Sequence, residues 1–379
     1  MNILIVSYFY SPENTPRAFR AYELTQELQR QGHRVKVISV RNECLSLDAD
    51  ILVEPGFLLN KRKSFNPSNI KQCQNSFWFS FRNKVIKLYN RFFGGRTIEA
   101  TLPIYKAIKD ISKNGEIFDK VISIGLPFCS HLAVGLAKKN GLLPLSNITF
   151  DYGDPYYRNS HMKLFYSAKV LESFALKYTD RVLVPVEKAR DAFVGYKNLT
   201  IDCIPQGFNF DLSLNNPRNL DFKHVSFFYA GNFYKSIRNP LPFFSFLKDN
   251  SKVFSSFKII LYMDLSQQFN LEVVEFLEKN KFIFEVNNII DRDLLLSYMN
   301  SNNFIGLNFL NADSYSQPSK VIDYAICRMP FIDIEPDFDI NYMTNQLLSF
   351  SQGLPGFIKY EESHKYHIAN IVKKVLNNE

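Results

Sequence analysis

The 379-residue chain lacks the marks of several protein classes. Its five cysteines (44, 73, 129, 203 and 327) stand far apart with no CxxC pair. That excludes a disulfide frame and a thiolate zinc site, and implies a reduced, cytosolic chain. The six histidines form no HxxxH or HxH pair. No uninterrupted apolar run approaches the roughly 18 to 20 residues that cross a bilayer. The best candidate, Val121 to Ala137, is broken by Pro127, Ser130 and His131. The opening "MNILIVSYFY" has no basic n-region and runs straight into the polar loop Ser11-Pro12-Glu13-Asn14, so it reads as a first strand rather than a signal peptide. Hydrophobic residues make up 46% of the chain, enough to fill two cores of α/β size.

Acid is also missing locally. Between Phe57 and Arg96 lie nine Lys and Arg residues and no Asp or Glu, so the +8 net charge of the whole chain sits in this one stretch. The same stretch carries nine aromatic residues, among them Phe79 and the only tryptophan, Trp78. Cations such as Arg62, Lys63, Arg82 and Lys84 interleaved with rings fit an interfacial patch, with rings at headgroup depth and charge on anionic lipid. A solvated basic loop over an ordinary hydrophobic cluster fits as well. Single-stranded nucleic acid also takes aromatics and cations, but no nucleic-acid module accompanies them, and no nucleic-acid partner is expected.

The first forty residues read as strand, loop, helix, turn, strand: "NILIV", then "RAFRAYELTQELQR" with Ala18, Ala21, Leu24 and Leu28 at helical spacing, then Gly32 and "RVKVISV". A crossover of this length implies a parallel sheet. Further strands are expected at 120–124, 146–151, 181–186 and 200–205, with helices at 129–139 and 162–178. After Pro205-Gln206-Gly207 a polar run looks like a linker, and the alternation restarts at "VSFFYA" (225–230). It continues with a helix near 240–249, strand "FKIILY", helix 267–279, strand "KFIFEV", helix 292–300, strand "NFIGLNF", a helix opened by Pro318, and strand "PFIDI". The fold expected is α/β: two doubly wound Rossmann-like domains, 1–205 and 206–361, facing across a cleft. A terminal amphipathic helix, 362–379, is expected to cross back to the first domain. Ligands in such sheets bind at the carboxyl ends of the strands.

Within "SYSQPSKVIDYAICRMPFI" a lysine, Lys320, stands at the mouth of a helix, where the dipole disfavours cations. An anion held there would reverse the sign of that interaction. Pro318 at the first helical position costs no hydrogen bond, and the free amides near Ser319 and Lys320 suit phosphate oxygens. The alternative is an exposed lysine paired with Asp323 at i, i+3.

Taken in order, "ILIVSYFYSPENTPRAFRAYELTQELQRQGHRVKVIS", "DYGDPYY", "LESFALKYTDRVLVPVEKARDAF", "IPQGFNFD", "YAGNFYKSIRNP" and "QPSKVIDYAICRMPFI" resemble the GT-B glycosyltransferases, specifically retaining glycosyltransferase family 4. The resemblance implies transfer of a sugar from a nucleotide-diphosphate donor to a saccharide acceptor, with retention. The acceptor is expected to be lipid-linked, in capsule or O-antigen synthesis. The enzyme would be cytoplasmic and peripheral on the inner face of the cell membrane, docked on anionic lipid. It implies that Lys320 and Arg238 stabilise the diphosphate, with Gly231 giving close backbone approach and Lys235 supplying a second cation where Asn232 replaces the usual one. It puts Asp323 on the ribose hydroxyls. Tyr315 stands where the family often has an acid on the sugar; Asp313 or a backbone group substitutes, or that contact is absent.

In the first domain the resemblance points to Asn14 and Arg17 as acceptor-side residues, with Arg17 or Arg20 supplying charge, and to Asp154 and His131 as catalytic residues. The usual glycine pair after the first strand is replaced by Thr15-Pro16, a stiffer loop. Asp154 either orients the acceptor or caps the turn at Pro155, and His131 either faces the cleft or is a core histidine. No cofactor and no metal are expected. Of the three DxD matches, Asp291-Arg-Asp293 suits a helix cap and Asp48-Ala-Asp50 and Asp337-Phe-Asp339 lie in polar turns. Retention in this family proceeds on one face of the sugar, so no paired nucleophile and acid is required. A catalytically silent scaffold and a GT-B nucleotide-sugar epimerase stand as alternatives.

Overall fold

Hydrophobic β-strands feeding amphipathic helices build both halves of the molecule. The computed structural model describes residues 1–13, 15–41, 48–55, 77–94, 97–159, 162–211, 223–236, 238–310, 319–354 and 358–376, with the side chains of 77–83, 97–98, 319 and 351 left out. Two compact units emerge: Met1–Asn209 with Ile368–Glu379, and Phe210–His367.

In the first unit β1 (Asn2–Ser7) leads through α1 (Pro16–Arg30) to β2 (Arg34–Val40) and β3 (Ile51–Val53). Two helices, α2 (Phe77–Phe93) and α3 (Thr97–Lys113), precede β4 (Lys120–Gly125), α4 (Cys129–Lys139) and β5 (Asn147–Tyr152). Then follow α5 (Tyr166–Leu176), β6 (Arg181–Val184) and β7 (Ile201–Cys203). The seven strands pair in parallel in the order β3-β2-β1-β4-β5-β6-β7. Strand order therefore reverses between β1 and β4.

Thr15 and Pro16 are not a stiff loop but the start of α1. Pro16 occupies the first helical position, and the Thr15 hydroxyl accepts a hydrogen bond from the Ala18 amide at 3.2 Å. At the other end of the chain the amphipathic helix begins at Ile368, not at 362. Residues 363–366 form one 3₁₀ turn in the second unit, because the apolar spacing Ile368, Ile371, Val372, Val375 starts only there. This last helix, α11 (Ile368–Leu376), buries those four side chains with Ala21, Leu24 and Leu28 of α1 and Ile3 and Ile5 of β1.

The second unit runs β8 (His224–Ala230), α6 (Leu241–Asp249), β9 (Ser256–Tyr262), α7 (Gln268–Lys279), β10 (Phe284–Asn287), α8 (Arg292–Asn300), β11 (Ile305–Phe309), α9 (Ser319–Ile326), β12 (Phe331–Ile334) and α10 (Ile340–Ser351). Its five strands are all parallel, in the order β10-β9-β8-β11-β12. Here the reversal falls between β8 and β11, whose core is filled by rings: Phe227, Tyr229, Phe233, Phe243, Phe244 and Phe309. Among the described residues no helix is long and apolar enough to cross a membrane.

Candidate functional site

The second sheet reverses between β8 and β11, the point at which sheets of this kind have a crevice at the carboxyl ends of their strands. Gly231 follows β8 with φ +139°, a region that L side chains rarely enter. A Cβ there would lie 2.5 Å from Lys320 Nζ and 2.6 Å from its Cε. The absence of a side chain is thus what lets the lysine of α9 lie against the end of β8. The same ammonium stands 5.0 Å from the centroid of the Tyr229 ring. Arg238, from the loop before α6, sets Nη1 3.4 Å from Tyr229 Oη. Tyr229 is fully buried and stacked on Phe233 at 4.4 Å, so one rigid ring seats both cations.

Holding two cations this close in a buried setting is electrostatically costly. Burial pulls the Lys320 ammonium down to about 7, the Arg238 guanidinium pushes it the same way, and Asp323 opposes them. Among the described residues no carboxylate forms an ion pair with Lys320. Asp323 instead binds Arg292 of α8, Oδ1 to Nη2 at 2.6 Å, so the i, i+3 pair open from the sequence does not form. Lys320 is also the second residue of α9, whose first amides have no partner within the helix. Two cations on one aromatic seat beside a helix start have the charge and the free amides that an anion requires.

The expected neighbours distribute unevenly. Asn232 is tied into the glycine loop through its acceptor oxygens. Its Oδ1 accepts from the Asp264 amide and from Asn270 Nδ2, both at 3.0 Å, and its carbonyl accepts from Tyr229 Oη at 3.1 Å. It braces the glycine loop. Lys235 lies exposed in the turn spanned by the Tyr234–Arg238 bridge. Ser319 contributes only backbone to the description, and Asp313, Tyr315 and Pro318 lie outside the described residues. Two participants had no signal in the sequence: Tyr229, which reads as one more aromatic in a strand, and Arg292, hidden inside a DxD match. Asp291 and Asp339 of two such matches are helix caps, accepting from the amides of Asp293 at 2.9 Å and Tyr342 at 3.0 Å.

No family model and no curated protein matches the chain. Solved structures do. A glycosyltransferase from Rickettsia africae ESF-5 is similar over 100% of this chain and 99% of its own, with TM-score 0.60 and 15% identity. The Anabaena protein HepE in complex with UDP covers 99% and 98%, with TM-score 0.57 and 10% identity. A putative UDP-N-acetylglucosamine 2-epimerase from Listeria monocytogenes covers 99% and 95%, at 0.53 and 11%. The chain has the GT-B type of fold. At these identities the likeness establishes architecture, and chemistry has to be argued from the side chains.

In the first unit the resemblance had put Arg17, Asp154 and His131 in one neighbourhood. Arg17 Nη2 and Asp154 Oδ2 meet at 2.5 Å, an ion pair that brings two of the sequence-predicted residues together. The Arg17 guanidinium lies where a side chain on residue 153 would be, with Nη1 1.3 Å from the position of a Cβ on Gly153. One turn later Arg20 forms a buried pair with Asp151 at 2.6 Å and donates to the Pro205 carbonyl at 2.6 Å. That pair ties α1 to the sheet and commits the Arg20 charge to Asp151.

His131 is a core residue. It is fully buried, with Nδ1 2.8 Å from Ser123 Oγ, and its ring stacks on Phe150 at 4.5 Å. Burial lowers it to about 3, with the Arg17 charge adding to that, so it stays neutral. Among the described residues its Nε2 has no hydrogen-bond partner, and it is 2.5 Å from where a Cβ of Gly125 would stand. Asn14, Arg62 and Lys63 lie outside the described residues, as do the side chains of Trp78, Phe79 and Arg82; Lys84 is exposed on α2.

Proposed function

We propose that this chain is a glycosyltransferase that takes a sugar from a nucleotide-diphosphate donor and passes it to a saccharide acceptor. The observation that carries the proposal is the convergence of Lys320 and Arg238 on Tyr229 beside Gly231. As the sugar departs, charge grows on the diphosphate, and preformed cations in a partly desolvated crevice stabilise that growth more than they stabilise the bound donor. In this reading the two cations and the start of α9 take the electrostatic role that a divalent ion fills in metal-dependent transferases, and the enzyme needs no metal. The departing phosphate oxygen takes the acceptor proton on the face the nucleotide leaves, with retention. Asp323, fixed by Arg292 through one oxygen, offers the other to the ribose hydroxyls.

Arg17 and Asp154 are the acceptor-side groups. The acceptor is a lipid-linked saccharide of bacterial surface polysaccharide assembly, capsule or O-antigen, reached by the protein as a peripheral occupant of the inner leaflet. The same fold serves a putative epimerase. An epimerase needs acid and base groups on the sugar carbon, and His131, buried and neutral, does not supply one.

The test is slow hydrolysis of a panel of nucleotide sugars by the whole chain, with nucleotide binding measured alongside. Lys320→Ala and Arg238→Ala are each expected to weaken nucleotide-sugar binding by roughly ten- to a hundredfold, the range for losing one charged hydrogen bond. Release of free nucleotide should fall with them. A nucleotide sugar converted to its epimer with no free nucleotide released would select the epimerase, and no binding of any nucleoside diphosphate would select a silent scaffold.

A further inference from the structure

The acid-free basic stretch was legible in the sequence, but the structure gives it a partner that was not. The end of α2 packs on the start of α5. The Phe165 amide donates to the Arg91 carbonyl at 2.8 Å, and Ser167 Oγ donates to the Phe92 carbonyl at 2.8 Å. The Arg91 guanidinium sits 4.5 Å over the Phe165 ring, which meets the Phe92 ring at 4.8 Å. On these adjoining helices large apolar side chains stay in solvent: Val85 is 49% exposed, Leu88 50%, Tyr166 67% and Val170 54%. Single exposed apolar residues need no explanation, but these stand on two packed elements among exposed Lys84, Lys87 and Lys163. No Asp or Glu occurs in α2 or anywhere from 155 to 171.

We infer that the end of α2 and the start of α5 together form one docking face for an anionic lipid surface, with Val85, Leu88, Tyr166 and Val170 entering the interface and the lysines meeting phosphate headgroups. Charge complementarity selects this occupant. A protein partner with an apolar groove would account for the aliphatic side chains but not for two acid-free basic segments. An interfacial element wants both kinds of residue and gains about 1 kcal/mol per cation near an anionic leaflet. The inference extends the peripheral association proposed above, and it adds α5 as a required half. It does not depend on sugar transfer.

The test is flotation of the whole chain with phosphatidylcholine vesicles, with and without phosphatidylglycerol, at rising salt; nucleotide-sugar binding is measured on the same samples. Binding is expected only with phosphatidylglycerol and is expected to weaken with salt. Lys84→Gln with Lys87→Gln should weaken it about thirtyfold, from roughly 1 kcal/mol per cation. Tyr166→Gln with Val170→Gln should weaken it at least severalfold while leaving nucleotide-sugar binding as it was. All four positions are exposed, so the variants keep the fold. Vesicle binding untouched by the Tyr166 and Val170 variant would overturn the two-helix face. Binding to neutral vesicles alone, or to none, would overturn the lipid assignment. So would single-stranded oligonucleotide binding, or self-association in light scattering, that shows the same variant dependence without vesicles. Loss of nucleotide binding with flotation intact would sink the transferase reading and leave this one standing.

Discussion

Gly231 and Lys320 form a pair in which each position explains the other. The backbone at 231 takes φ +139°, and the space where a side chain would stand is filled by the lysine's Cε and Nζ. Gly231→Ala is therefore doubly penalised, by backbone strain of about 1 kcal/mol or more and by displacement of the ammonium. Nucleotide-sugar affinity should drop at least as far as in Lys320→Ala, with a melting temperature lowered by only a few degrees; a variant with full affinity would show that the contact is incidental. The lysine also predicts a pH dependence. Free, its ammonium titrates near 7; a bound diphosphate favours the charged form and raises that value. The complex then holds more protons than the free protein between about 7 and that raised value, so affinity must fall as pH rises through that window, by up to about tenfold per unit. A nucleotide sugar is the right probe because its diphosphate does not itself titrate there. Calorimetry in buffers of different ionisation enthalpy should show proton uptake, absent in Lys320→Arg. At this scale the cations were legible because lysine at a helix start contradicts the dipole. Their common seat on Tyr229 was not, because one tyrosine among "VSFFYA" carries no signal of its neighbours in space.

Elements follow the same rule. Helices 129–139 and 292–300 could be placed to the residue from their apolar spacing, and "KVISI" lies wholly inside β4. Periodicity was silent on β3, three residues long, and on α10, which leaves Ile340, Tyr342 and Leu348 exposed and so blurs its buried stripe. In α2, clustered rings and cations drew attention as a patch and hid the helix that carries them. A second kind of information is long range and had no local trace. Arg181 at the start of β6 donates to the carbonyls of Val375 at 3.1 Å and Lys374 at 3.0 Å, and pairs with Asp202. An arginine supplied from the sheet thus satisfies the last carbonyls of α11, where a cation also suits the dipole. Arg181→Ala should cost about 2 kcal/mol or more, since it leaves buried carbonyls without a donor. Urea denaturation with amide exchange on α11 peptides would detect it. Exchange in α11 no faster than in the parent would mean that burial of Ile371 and Val372 alone holds the helix.

The whole chain crosses from one unit to the other twice, at 209/210 and again at 367/368, so its last helix belongs to its first unit. That fact separates position along the chain from position in the structure. Removing residues 368–379 strips Ile368, Ile371, Val372 and Val375 from a cluster with Ile3, Ile5, Leu24 and Leu28. Four buried aliphatic side chains at about 1.5–3 kcal/mol each are comparable with the whole stability of an ordinary domain. The first unit should therefore open, although the cut lies farthest from it in sequence. The second unit keeps both sheet neighbours of β8 and all of the Tyr229–Lys320–Arg238 arrangement, since every one of those residues lies between 210 and 367. Amide exchange resolved by peptide should show fast exchange across β1, α1 and β4 in the truncated chain. Peptides of β8 and α9 should stay protected and gain further protection from a nucleoside diphosphate. Retained protection in β1, or exposure confined to the second unit, would mean that α11 is an appendage rather than a part of the first core.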